Sequence, residues 1–487
     1  MKTLSERLNT KLRGIEARVG VEPKPGLNEL SKWLHGNPPL PVGSPDWLPA
    51  YQAFHRTTRT NYADLVVESA RERMTPVGFR TGATGDENGD LVAEAVWAFN
   101  EMGIESVDLL HWMLGLGDAY TMVGPSESGD PYPYITAEDP RAVITAHHPV
   151  RRSVIRAAMK IYKDPDENTD VVFIYLPAGA PGADPNRATA YKATRPSGNL
   201  VWPVSRLTAS QWTWSDALPL PTKRVPFARF ENRHGVSEFE PHIDVLSRLN
   251  HTTLQRMLIA ELQAFRQRAV EGLPDVFPAD YPVPEMRGKP IDYEGIFTPG
   301  PGALWQLPPG AKFWESTPTD IRPLLDAEDR DLRKLSAVAG MPVSFFNPDA
   351  ANGSAEGASF QRERLTYRVE DRQTIATARL AQTMSLAFEM MNDTARADVA
   401  KIETIWAPIE RLSLTERYSA ASQAVGVLPK NTIRREILGF SPRQMRAAEA
   451  DDDAALFEQA LQIQPGANSQ TGQSSPLPQR PTAVPAA

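Results

Sequence analysis

The chain has no cysteine. That absence removes disulfides, thiolate zinc centres, iron–sulfur clusters and cysteine nucleophiles together, and it fits a reducing cytosol. No run of ~18 apolar residues occurs, so a membrane span is not expected. The opening MKTLSERLNTKLRGIEARV scatters charges every few residues and lacks an apolar stretch, which is not the pattern of a secretory signal. Excess positive charge is missing too. The 52 basic and 60 acidic side chains leave a net charge of −8, whereas a protein that grips DNA by counterion release carries a basic stripe. Tight, general nucleic-acid binding is not expected; loose or transient contact is compatible with this balance.

Motifs for nucleotides and hydrolysis are also lacking. No G-x-x-x-x-G-K-[ST] is present, and Gly288-Lys289 runs into Pro290, so a P-loop motor is excluded. Neither HExxH nor G-x-S-x-G occurs. Gly115-Leu116-Gly117 resembles the start of a dinucleotide fingerprint, but Tyr120 breaks the spacing. The order there is helix then strand, whereas phosphate binding needs strand then helix, so a helix-ending turn is expected. The segment 164–170 opens like a calcium loop, yet Thr169 takes the glycine position and Tyr175 the position of the closing glutamate. It reads as a hairpin tip. His147 and His148 are adjacent in a strand and point to opposite faces, which disfavours a shared metal. The acids Asp326, Glu328, Asp329 and Asp331 support a rival reading, a metal-dependent nuclease or hydrolase. Asp326 and Arg330, like Asp329 and Arg333, sit at i,i+4, which favours an exposed helix face, solvated or between subunits. Asp451, Asp452 and Asp453 read as solvated surface. No catalytic residue, cofactor or metal ligand is assigned.

What is present is architectural. At 487 residues, two to four structural units are expected. Leu4, Leu8, Leu12, Ile15 and Val19 mark an opening amphipathic helix, and a proline-rich connector covers 23–49. Helices are expected at 61–74, at a segment capped by Asp90 and ended by Gly103, and at roughly 106–114. Short β segments dominate 131–232, giving a mixed α+β region. A long helical pattern fills 241–271, with Gly272 and Pro274 as its stop. Ten prolines and six glycines then crowd 272–318, an irregular module anchored by aromatics. Further helices are expected at 319–339, capped by Thr319 or Asp320, and at 359–392, with a flexible loop at 344–357 between them. Capping signals at Ser413/Glu416 and Ser441/Gln444 start C-terminal helices. After about 465 the polar, proline-rich tail reads as disordered. A spine of long helices around an irregular module is rarely needed by a monomer; a ring whose helices line a channel needs one.

With these features the chain resembles portal proteins of tailed bacteriophages, in particular those of phages infecting actinobacteria. The carriers are NYADLVVESARERMTPVGFR, WAFNEMGIESVDLLHWMLGLGDAYTMV, RVPFARFENRHGVSEFEPHIDVLSRLNHTTLQRMLIAELQAFRQR, GALWQLPPGAKFWE, DLRKLSAVAGMPVSFF and NGSAEGASFQRERLTYRVEDRQ. The resemblance covers nearly the whole length, and it rests on the order and spacing of these segments. It implies a non-enzymatic homo-dodecamer ring at one capsid vertex, a conduit for double-stranded DNA during packaging and ejection. By position, 1–240 and 358–410 correspond to the wing, 241–271 and 319–343 to the stem helices, and 272–318 to the clip. The segment 344–357 corresponds to the tunnel loop, 411–464 to the crown, and 465–487 to the tail.

The implied partners are the major capsid protein and scaffold, the terminase large subunit, a head–tail adaptor, and transient DNA, with no membrane. The implied loop residues facing DNA are Asn347, Asp349, Asn352, Ser354 and Glu356. Candidates lining the stem are Arg256, Arg266, Arg268, Arg330, Arg333 and Lys334; candidates for clip docking are Tyr293, Phe297, Trp305, Phe313 and Trp314. The loop has no lysine or arginine, and 241–271 carries four arginines against three acids. A near-neutral lining fits conduction, because every fixed phosphate contact adds an electrostatic hold. A further alternative is another capsid or adaptor protein without a closed ring.

Overall fold

The computed structural model describes residues 2–16, 23–39, 56–83, 88–197, 204, 206–207, 211–264, 268–293, 310–315, 317–346, 355–410 and 413–462. The chain divides into two units, Met1–Arg411 and Leu412–Ala487.

The first unit opens with α1 (Lys2–Arg13), whose Leu4, Leu8 and Leu12 are buried at the expected i,i+4 spacing. Two short strands, β1 (Gly14–Ile15) and β2 (Lys24–Pro25), pair before α2 (Leu27–Leu34). Asn61 caps α3 (Tyr62–Arg71) by accepting the Asp64 N–H, and β3 (Pro76–Arg80) follows. Asp90 caps α4 (Leu91–Phe99) through the N–H groups of Val92 and Ala93. The break before α5 (Met102–Leu116) falls at Asn100 and Glu101 rather than at Gly103, which lies inside α5. The Asn100 side chain donates to the carbonyls of Val96 and Pro133 and accepts the Ile135 N–H. Those bonds fix the turn where Asn100 stands. Gly117 ends α5 at φ +76°, and a Cβ there would come within 3.0 Å of the Gly235 and Val236 backbone. The turn therefore requires glycine. It feeds β4 (Asp118–Gly124), all seven residues of which are buried.

Among the described residues, seven further strands follow in the first unit's middle: β5 (Tyr134–Glu138), β6 (Val143–His147), β7 (Ile155–Asp164), β8 (Thr169–Leu176), β9 (Thr189–Pro196), β10 (Thr213–Pro219) and β11 (Phe227–Glu231). They build two antiparallel sheets, ordered β10-β9-β8-β7-β6 and β11-β4-β5. The hairpin between β7 and β8 closes with Asp164 opposite Thr169. Asp164 accepts the N–H groups of Asp166 and Glu167, so the acids of this tip serve the turn. Strands β9 and β10 were not anticipated. The edge strand β10 is exposed at all seven positions, so no buried face writes a period of two into its sequence.

The remaining elements are α6 (Ile243–Ala264), β12 (Arg268–Glu271), β13 (Lys312–Glu315), α7 (Arg322–Ala339), α8 (Ala355–Met390) and β14 (Glu403–Trp406), which pairs with β3. Three expectations are corrected here. The helix expected through 271 ends at Ala264, because Arg268–Glu271 pairs with Lys312–Glu315. Tertiary pairing overrides helix propensity at that end. The helix expected from 359 already begins at Ala355, so residues 355–357 belong to it rather than to a loop. Helix α7 starts at Arg322 rather than beside Thr319 or Asp320, although Asp320 does accept the Arg322 N–H. At 1.5 Å per residue α8 is about 54 Å long, and its Val369, Ala376, Leu380, Met384 and Phe388 are all buried. The Thr383 hydroxyl meets that of Thr121 on β4 at 2.6 Å.

The second unit contains α9 (Leu414–Ala424), a one-turn helix Lys430–Thr432 that continues through Ile433–Ile437, and α10 (Pro442–Gln462). Ser413 and Glu416 form the expected capping box, and Ser441 and Gln444 bond each other's backbone in the same way. Asp452 is not merely solvated: it accepts Arg434 at 2.5 and 2.9 Å and Lys430 at 2.5 Å. The expected disorder past 465 falls outside the described residues.

Candidate functional site

The strongest candidate is the limb formed by α6, the β12–β13 pair and α7. Its two helices meet along a short apolar seam, where Leu246, Leu249 and Leu254 of α6 and Leu332, Leu335 and Ala339 of α7 are buried. Charged groups close the seam. Arg248 donates in bidentate fashion to Asp331, at 2.6 Å from Nε and 3.0 Å from Nη2. Lys334 adds a 3.3 Å contact to Asp331. The bond from Arg248 holds the Asp331 carboxyl below the usual carboxylate range against the opposing effect of burial. Thr253 donates to Glu328 at 3.2 Å, and Arg256 stands 3.7 Å from the same carboxylate.

Two of the four acids considered for nuclease chemistry are therefore joined to α6 across the helix pair. This corrects the expectation that the whole cluster forms a solvated or inter-subunit face; Asp326 and Asp329 remain exposed.

The C-terminal end of α7 and the segment leading into α6 are held by one face of α8. Arg364, Arg368 and Arg372 recur every four residues and so share that face. Arg364 donates to the Ala337 carbonyl at 2.6 Å, and Arg368 donates to the Ala339 carbonyl, at the C-terminus of α7. Arg372 donates to Glu238 at 2.6 Å, five residues before α6 begins. Glu238 is buried, and Asn232 also donates to it at 2.9 Å. Burial alone would raise its pKa, but Arg372 and Arg368 outweigh that and keep it below the usual range. The arginine row was missed in the sequence, although its four-residue period is visible there.

Away from this root the limb is less covered. On α6, Met257, Leu258 and Ile259 are half-buried, and on α7 Leu325 is exposed. The sheet register pairs Arg268 with Glu315, Ala269 with Trp314, Val270 with Phe313, and Glu271 with Lys312. Opposite charges stand across from each other where Glu271 faces Lys312. Phe313 and Trp314 remain 48% and 56% exposed. Beyond the strand, Tyr293 donates to the Pro274 carbonyl at 2.7 Å, and the Phe277 and Tyr281 rings lie 4.6 Å apart.

The other sequence-derived candidates fall as follows. Arg330, Arg333 and Lys334 are exposed on α7, and Arg256 is half-buried toward Glu328. Arg268 lies in β12 rather than in a helix. Arg266, Phe297, Trp305, Asn347, Asp349, Asn352 and Ser354 lie outside the described residues, and Glu356 falls in the first turn of α8. Among the described residues no helix is long and apolar enough to cross a membrane.

A family model described as "Phage portal protein, SPP1 Gp6-like" matches residues 50–456. Among solved structures, the chain is similar to one from the neck of an empty GTA particle computed with C6 symmetry. That match has 14% identity and a TM-score of 0.43, covering 81% of this chain and 95% of the other. It is also similar to a chain from the virion of a native gene transfer agent (GTA) particle, at 15% identity and a TM-score of 0.40, covering 82% and 96%. No curated protein matches. With the family match spanning most of its length, the chain belongs to the SPP1 Gp6-like phage portal family.

Proposed function

We propose that the chain assembles into a homo-dodecamer ring at one capsid vertex and acts there as a conduit for double-stranded DNA during packaging and ejection. The sequence segments that resemble actinobacteriophage portals favour a phage of that type. The observation that carries the reading is the limb itself. Two helices are anchored at one end on α8, are only half-covered along their outer length, and end in strands bearing exposed Phe313 and Trp314. Apolar surface left in this way is what neighbouring copies and docking partners cover.

In this reading the exposed Arg330, Arg333 and Lys334 of α7 line the channel together with the segment 347–354. The strand-tipped end receives the terminase large subunit and then the head–tail adaptor, while the larger body packs against the major capsid protein and scaffold. The chain performs no catalysis, and a separate ATPase supplies the energy for packaging.

Electron microscopy of the purified protein tests this directly. Rings with a central channel are expected. A monomer or dimer that persists across protein concentration and salt overturns the reading. In rings, deletion of residues 350–354 is expected to leave assembly intact and to impair DNA packaging or retention; normal packaging by that variant removes the loop assignment.

A further inference from the structure

The portal reading needs no metal, and no sequence motif points to one, yet three donors converge elsewhere in the first unit. Asp64 and Glu68 stand four residues apart on α3, so they share one face of it. The adjoining α5 brings His111 to that face. One oxygen of each carboxylate and one His111 ring nitrogen all lie within 4.8 Å of one another. Glu68 Oε1 is 2.8 Å from His111 Nδ1, and Asp64 Oδ1 is 3.9 Å from Nε2. Arg71 Nε holds the other Glu68 oxygen at 2.6 Å, which fixes Oε1 toward the histidine. That arrangement supplies the supporting bond that orients a ligating carboxylate.

Charge and space both favour a cation. The carboxylates of Asp64 and Glu68 stand together on one helix face, with the Arg71 guanidinium beside them. The three side chains are half-buried. Glu68 and His111 open onto a cavity of 580 Å³ lined also by His35, Trp112 and Arg141. Such a cavity leaves room for water at the remaining coordination positions. Metal bonds of about 2.0–2.2 Å would draw the three donors closer together than they stand.

We propose that Asp64, Glu68 and His111 form a binding site for a divalent transition-metal ion of the zinc class, which clamps α3 to α5. One imidazole with two carboxylates suits that class better than calcium or magnesium, which favour all-oxygen sets. The proposal does not depend on ring assembly.

The test uses the full chain, stripped with a chelator and titrated with zinc chloride by calorimetry. One saturable site per chain is expected. Asp64→Asn and His111→Gln should each weaken it at least about tenfold, with unchanged far-ultraviolet circular dichroism. Calcium at the same concentration should not compete. X-ray absorption of the wild-type chain loaded with one equivalent of zinc provides a check that needs no variant. It should report nitrogen and oxygen donors with a single imidazole. No saturable uptake, variants that bind zinc as tightly as the wild type, or two or more imidazoles at the metal overturns the site.

Discussion

The interior around β4 and the outer limb at β12–β13 are both built from antiparallel strands, but they are finished differently. β4 is buried at every position, flanked by β5 and β11, and met through Thr121 by the central helix α8. The two-stranded β12–β13 pair has no third strand among the described residues and leaves Phe313 and Trp314 largely exposed. A lone two-stranded ribbon is marginal in water, whereas a covered sheet sustains itself. The first region is complete within one chain. The second has the surface of a part finished by something else.

The largest expected effect falls in the complete region. Phe388→Ala on α8 empties a fully buried site, and chemical denaturation should show a loss of about 3–5 kcal/mol. Little change there would break the contrast. Next comes the root of the limb, where Glu238→Ala leaves Arg372 and Arg368 facing each other without their acid. A loss of about 3 kcal/mol is expected. The pH dependence follows from the sign of the shift. Glu238 is held below its ordinary pKa, so its contribution is full above the unfolded value of about 4.3. It is lost as the pH falls through the lower folded value. Acid unfolding of Glu238→Gln should therefore be less steep than that of the wild type.

Smaller effects sharpen the same comparison. Ser413→Ala removes half of a capping box and should cost the second unit about 1 kcal/mol, read as a lower melting temperature. Trp314→Ala should change the stability of the isolated chain by less than about 0.5 kcal/mol while weakening adaptor or terminase binding. A large stability loss with unchanged docking would show that the strand pair serves its own chain rather than a partner.

What could be read from the sequence follows the same division. Leu4, Leu8 and Leu12, the Asp90 cap, the hairpin at Asp164 and the Ser413 capping box were legible because each is decided by neighbours within a few residues. The exposed strand β10, the early end of α6 and the turn at Asn100 were not, because distant partners decide them: β9, β13 and Pro133. The helix pairing through Arg248 and Asp331 joins residues 83 positions apart. Spacing along α7 alone suggested local i,i+4 pairs instead. The convergence of His111 on Asp64 and Glu68 likewise depends on how α3 lies against α5.

The row Arg364, Arg368 and Arg372 also has a mechanical meaning. These residues occupy three successive turns of a single 36-residue helix, and between them they hold the end of α7 and the entry to α6. A twist of α8 about its axis carries both attachment points in the same sense, so the limb swings as one lever rather than as two independent rods. A force applied at its strand-bearing tip reaches α8 through these three guanidinium groups as well as along the chain.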